Sequence, residues 1–205
     1  MKKVIVVFGL LILGIIISSF SKDEKNINER ISPLKVTSSV LTQKESLSQN
    51  RNIPFVGKSF NGFKEAVGFT ESQGRYDVVN TLGYLGKYQF GKSTLERFKI
   101  YNTQHFLETP ELQENAFIAL CSLNKWILKK DIKRSVGKKI NGIRITESGI
   151  LAAAHLAGAG NVKKYLRSNG VERFEDAYGS SIKHYLEEFS GFNTSFIEAT
   201  RKPVL

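Results

Sequence analysis

The hydrophobic pattern divides the chain into three stretches. Met1-Lys2-Lys3 is followed by an unbroken non-polar run from Val4 to Ile17, then by Ser18-Ser19-Phe20-Ser21. A positive start, an apolar run and a group of small residues form the pattern of an export signal, with cleavage expected after Ser21. The run is slightly long for a signal peptide and slightly short for a comfortable span, so an uncleaved anchor over residues 4–20 is the alternative. Either assignment puts the body of the protein outside the cytoplasm, in the periplasm or secreted, in the second case held at the inner membrane. Residues 22–55 are rich in Lys, Glu, Asn, Ser and Gln and show no sustained apolar period, which predicts a flexible polar linker.

Residues 56–205 carry the periodicity of a folded domain. Phe60, Phe63, Ala66 and Val67 recur at helical spacing as far as Ser72, and Gln73-Gly74 closes that helix. From Tyr76 to Phe90 there is no strong period, and Gly83 and Gly86 mark an irregular segment. Ser93-Thr94-Leu95-Glu96 has the spacing of a capping box, predicting a short helix that opens at Ser93. Thr109-Pro110-Glu111 starts a long helix expected to reach about Lys129, with Leu112, Phe117, Leu120, Trp126 and Leu128 as its apolar positions. Asn141-Gly142, between short apolar-polar alternations, predicts a hairpin. Thr146 then caps an Ala-rich, buried helix over Gly149–Leu156. Separate helices are expected from Asn161 and from Ser180 to Phe189. The fold class is all-α, mainly helical with one small hairpin.

Composition narrows the partners. Lys and Arg total 30 against 19 Asp and Glu, a net charge of +11. Such a surface favours anionic partners, among them nucleic acid, anionic lipid and anionic wall polymers. The export pattern removes nucleic acid from that set. Cys121 is the one cysteine, so no intrachain disulfide can form, and its apolar surroundings (Ala116 to Leu120) predict a small buried hydrophobe. His105, His155 and His184 show no metal-binding spacing, and no metal or cofactor is expected. A monomer is expected.

The candidate chemistry centres on Phe69-Thr70-Glu71-Ser72-Gln73-Gly74. A carboxylate at the end of an apolar helix, against a cleft, acquires a raised pKa and can serve as a general acid. A lone Glu at a helix end is more often a solvated surface residue, so the wider pattern decides. Glu71-Ser72, then Asn80, then Gly83-Tyr84-Leu85-Gly86-Lys87-Tyr88-Gln89, resembles the signature of the soluble lytic transglycosylases and goose-type lysozymes. There a Glu-Ser pair closes the first helix and a Gly-x-x-Gly-Leu-Met-Gln element follows. The spacing between Glu71 and Gln89 agrees with the family without a gap. Ala154-His155-Leu156-Ala157-Gly158 is similar to the family's Ala-Tyr-Asn-Ala-Gly element, with His155 and Leu156 in place of Tyr and Asn.

The resemblance implies a lysozyme-like domain in which Glu71 is the catalytic acid. It also implies that Ser72, Asn80, Gly86, Tyr88, Gln89, His155 and Tyr185 shape or contact a groove for peptidoglycan glycan strands. The activity it implies is cleavage of the MurNAc-GlcNAc bond to a 1,6-anhydro sugar. Each of these residues also has a purely structural reading: Ser72 as a helix-end polar group, Gln89 as a loop brace, Gly83 and Gly86 as turn residues, and Tyr76, Tyr88 and His155 as core. A water-adding muramidase of the same fold would need a second carboxylate. Asp77 reads as a turn residue and Glu147 as a helix-dipole partner. A non-catalytic wall-binding protein is the third reading.

Overall fold

A computed structural model describes residues 57–205; the expected export segment and the linker assigned to 22–55 lie outside the described residues. The described residues form one compact unit. Among the described residues the fold is mainly helical, with six helices and one two-stranded hairpin.

Helix α1 (Phe60–Ser72) begins where the Ser59 hydroxyl accepts the Gly62 N–H at 3.0 Å. It ends at Gln73, whose left-handed backbone (φ 58°) returns its N–H to the Phe69 carbonyl at 2.8 Å. Phe63 and Val67, one turn apart, are fully buried. Helix α2 (Lys92–Arg97) does not use the predicted capping box. Its cap is Gly91, whose carbonyl takes the N–H groups of Thr94 and Leu95, and this start drives Leu95 into the core. Helix α3 (Thr103–Glu108) was not anticipated. Its six residues are too few to show a period, yet Asn102 caps it through the His105 N–H and Phe106 anchors it, fully buried.

Helix α4 (Pro110–Ser135) starts at the expected Thr109-Pro110 but runs past Lys129 by a turn and a half. Its extra length is polar in sequence. Buried Asp131 holds it, ion-paired to Arg134 and, at 2.9 Å, to Arg167 of the next helix. Strands β1 (Lys139–Ile140) and β2 (Ile143–Arg144) form the expected hairpin, with Ile140 opposite Ile143. Asn141 and Gly142 both take positive φ, as a primed two-residue turn requires.

Helix α5 (Glu147–Arg167) joins the two helices expected separately. Thr146 caps it through the Gly149 N–H at 3.2 Å, and at Gly158 (φ 77°, ψ 150°) the chain leaves helical geometry and restarts. Ile150, Leu151, Ala152, Ala153 and Ala154 are buried in its first half, and the three alanines are small enough to let α5 pack closely against α4 and α6 (Ile182–Glu188). Glu147, in the first turn of α5, pairs with Lys125 at 2.8 Å and accepts the Thr194 hydroxyl at 2.7 Å. Cys121 is buried, and burial pushes its thiol up. Among the described residues no helix is long and apolar enough to cross a membrane, and no cluster of His, Cys, Asp and Glu could hold a metal ion.

Candidate active site

Glu71 is the penultimate residue of α1, and the left-handed stop at Gln73 leaves its side chain at the edge of the packed core, 15 % exposed. The Tyr185 hydroxyl of α6 donates to Glu71 Oε1 at 2.8 Å. The same oxygen lies 3.9 Å from His155 Nε2 of α5. Burial raises the Glu71 carboxyl above its ordinary value. Asp176 and Glu188 add to the rise, while His155 and the Tyr185 hydrogen bond offset part of it. Tyr185 is itself buried against Phe189, ring centroids 5.1 Å apart, so its hydroxyl is held in one place; burial and then the Glu71 charge push its own pKa up. The result is a carboxylic acid that keeps its proton to higher pH than a surface Glu and presents it from a fixed position.

His155 is oriented from the loop side. Its Nε2–H donates to the Tyr88 carbonyl at 2.7 Å, the only role open to a nitrogen facing a carbonyl. The ring stands edge-on to Phe90 and Phe117, and Nδ1 has no partner. The loop that supplies Tyr88 is pinned at several points. The Asn80 carboxamide accepts the Leu82 and Tyr84 N–H groups. Gln89, at φ 49°, returns its amide to the Gly86 carbonyl at 2.8 Å. Gln113, fully buried on α4, accepts the Lys87 N–H and donates to the Tyr76 and Phe106 carbonyls. Gly86 is necessary here: at φ 72° a Cβ would stand 2.1 Å from Gln113 Oε1. Gly86→Ala is therefore expected to lower stability by about 3 kcal/mol, from the backbone penalty plus the overpacking, read as a shift in a urea midpoint.

Behind the loop sits an ionic cluster centred on the buried Lys87. Lys87 Nζ pairs with Glu114 and Glu65, each at 2.8 Å, and accompanies the Tyr76 hydroxyl at 3.1 Å. Glu114 also takes Lys64 at 2.7 Å and the hydroxyls of Tyr76 and Tyr88. Burial alone would raise the Glu114 carboxyl, but hydrogen bonds from Lys64, Lys87, Tyr76 and Tyr88 hold it at about 2. Ser72 belongs to this bracing. Its hydroxyl donates to the Lys87 carbonyl at 2.8 Å and accepts the Arg75 N–H, tying the end of α1 to the loop.

A groove of about 1060 Å³ runs across this face, with Glu71, Asn80, Gln89, His155 and Tyr185 on its walls. The other three residues singled out from the sequence, Ser72, Gly86 and Tyr88, stand behind the wall and follow their structural readings. Tyr88 is fully buried, stacked on Phe117 with its hydroxyl on Glu114. Asp176 and Tyr178 are among the groove residues that escaped the sequence reading. Asp176 lies in the loop between α5 and α6, where its Oδ1 accepts the Tyr178 and Ser180 N–H groups. Tyr178 stands beside it, its hydroxyl 2.9 Å from that of Thr81 on the opposite loop. Only the Asx-turn pattern Asp176-x-x-Gly179-Ser180 hinted at this loop, and no local pattern pointed it toward Glu71. Asp77 lies at a bend, as expected of a turn residue. A smaller depression of about 430 Å³ is lined by Arg134, Lys138 and Arg167, and its one carboxylate, Asp131, is already paired. The groove is therefore the candidate site.

No protein-family profile, curated protein or solved structure matches the chain.

Proposed function

We propose that the protein is a peptidoglycan lytic transglycosylase with a lysozyme-like fold and Glu71 as its catalytic acid. The observation that carries this reading is the state of Glu71: a largely buried carboxyl on the wall of the groove, raised in pKa and hydrogen-bonded by Tyr185. Cleavage of a glycosidic bond needs a proton delivered to the leaving oxygen as an oxocarbenium-like transition state forms. Glu71 gives that proton to O4 of the departing GlcNAc while the C1–O4 bond breaks, and the neighbouring N-acetyl group supports the positive charge at C1. The Glu71 carboxylate then takes the proton of the MurNAc C6 hydroxyl as O6 closes onto C1. The acid is regenerated, no water is consumed, and a 1,6-anhydro sugar leaves. Tyr185 fixes the oxygen it bonds, and His155, fixed by the Tyr88 carbonyl, borders the same oxygen. The net charge of +11 favours an anionic wall, and the export pattern over residues 1–21 supports a chain that meets such a wall outside the cytoplasm.

One observation favours a second reading. Asp176 lines the same groove and acts on Glu71 through its charge. A carboxylate across the cleft could activate water, giving a muramidase. Against it, one Asp176 oxygen is committed to two loop N–H groups. Mass spectrometry of fragments released from purified peptidoglycan separates the two. Anhydro products, one water lighter than reducing-end sugars, are expected. Reducing-end products that persist in Glu71-intact protein and vanish in Asp176→Asn would replace the transglycosylase reading with the hydrolytic one. A folded protein that sediments with the wall but releases nothing would leave a binding protein.

A further inference from the structure

The last turns of α4, the hairpin and the last turn of α5 carry a positive charge that their own packing does not use. Residues 129–144 hold seven Lys and Arg against one carboxylate, Asp131, a net +6 of the chain's +11. Asp131 is buried and one cation would balance it, yet it takes two: Arg134 from its own helix and, at 2.9 Å, Arg167 from α5. Both Arg side chains remain more than half exposed, at 57 % and 53 %, and both line the depression of about 430 Å³. Lys138, just before β1, lines it as well and enters no ion pair among the described residues.

A structural tether between α4 and α5 accounts for Asp131 and Arg167. The negative end of the α4 dipole accounts for a cation in its last turn. Neither accounts for Lys138 facing the same depression, nor for the hairpin. There Lys139 stands directly opposite Arg144, both exposed. Like charges in that register destabilise a strand pair, so the hairpin carries a cost that an anion from outside would remove.

The geometry selects the kind of anion. Cations from α4, the approach to β1 and α5 surround one hollow, which suits an oxyanion with acceptor oxygens in three dimensions better than a planar carboxylate. A guanidinium has five N–H donors, and the bonds to Asp131 leave each Arg with donors to spare. Asp131 also holds both guanidinium groups in place, so less side-chain freedom is lost on binding. A membrane surface is usually met by cations mixed with aromatic or long aliphatic side chains. The exposed large apolar side chains along residues 129–144 and 161–171 are two valines, Val136 and Val171.

We propose that this basic end is a docking surface for a repeating phosphodiester polymer of the cell envelope. The hollow between Arg134, Lys138 and Arg167 seats one phosphate, and Lys139 and Arg144 meet further phosphates of the same chain. The surface shares no lining residue with the groove, so its test does not depend on Glu71 or on fragment release.

Calorimetric titration of poly(glycerol phosphate) into the full chain checks this. The double variant Arg134→Gln, Lys138→Gln keeps the Asp131–Arg167 pair and is expected to bind the polymer about tenfold more weakly, with a shallower dependence on salt. The double variant Lys183→Gln, Lys202→Gln loses the same charge from exposed positions that line neither the hollow nor the groove, and should bind like the parent. Lys139→Gln should weaken the polymer and yet melt higher than the parent at low salt, a pairing of effects that a purely structural lysine would not give. Polyglutamate of matched charge should bind the parent more weakly than the phosphate polymer. Unchanged binding in the Arg134, Lys138 variant, or equal loss in the Lys183, Lys202 variant, would overturn the proposal. So would polyglutamate binding as tight as the phosphate polymer. Vesicles of phosphatidylglycerol and phosphatidylcholine form the last arm. The apolar run of residues 4–17 is common to parent and variants, so only the difference between them counts. A larger loss on vesicles than on the polymer would replace the polymer with a membrane surface.

Discussion

Glu71→Gln is expected to lower fragment release from peptidoglycan by about 10²- to 10⁴-fold, the range for removing a general acid. The same change is expected to stabilise the fold at pH 7. The Glu71 carboxyl is raised in the folded state, so the folded protein holds its proton more tightly than the unfolded chain does. Stability then falls as pH rises from near 4.5 through the raised folded value, and above that value the penalty of the buried charge is present in full. Glutamine carries no such charge, and its carbonyl can still accept from Tyr185. The melting temperature of Glu71→Gln should therefore exceed that of the parent at pH 7 and converge with it below pH 4.5. A variant less stable than its parent at pH 7 would show that the carboxylate is held by its surroundings rather than strained by them, and would weaken its assignment as the acid. Activity in the parent should decline on the alkaline limb as the Glu71 proton is lost.

Glu114→Gln is expected to act in the opposite sense. Glu114 joins Lys64, Lys87, Tyr76 and Tyr88, and Lys87 is 2 % exposed, so neutralising Glu114 leaves a buried ammonium with Glu65 as its remaining carboxylate. Breaking a buried pair from one side costs about 3 kcal/mol, near the lower end because Glu65 persists. The Glu114 carboxyl is depressed to about 2 in the folded state, so its contribution is complete above pH 4.5 and is lost as pH falls from 4.5 toward 2. Chemical denaturation followed across that window should show the parent weakening and the variant, already weaker, changing less. An equal slope in both would mean that Glu114 does not carry the acid sensitivity. Catalysis should follow stability here, since no group of the cluster bonds the Glu71 carboxyl; it reaches Glu71 through α1, which carries Lys64 and Glu65, and through the loop, the Tyr88 carbonyl and His155.

Much of the fold was legible because its elements are announced locally. Thr146 and the Asn141-Gly142 turn act through groups within four residues of themselves, and short patterns record such chemistry. The end of α4 was not legible, because Asp131 and its flanking Lys and Arg residues look like a solvated stretch until Arg167, far along the chain, buries the carboxylate. The short helix α3 was missed for want of length, although Asn102 stood at its start. At the site, Glu71 and Tyr185, both implied by the one family resemblance, meet across 2.8 Å. Ser72, next to Glu71 in sequence, turns the other way because successive residues on a helix point about 100° apart. Asp176 was invisible, since its loop becomes part of the groove only when α6 packs against α5.

The hydroxyls of Thr81 and Tyr178 join the two rims of the groove through one hydrogen bond, with Tyr178 62 % exposed to solvent. A single solvated bond of about 1 kcal/mol is broken in roughly one molecule in six at any instant, too weak a link to hold the rims shut. On the proposed glycan reading, a strand many times longer than the protein would then settle broadside across the rims at any point along its length rather than being threaded from a free end, and the clasp would re-form over it.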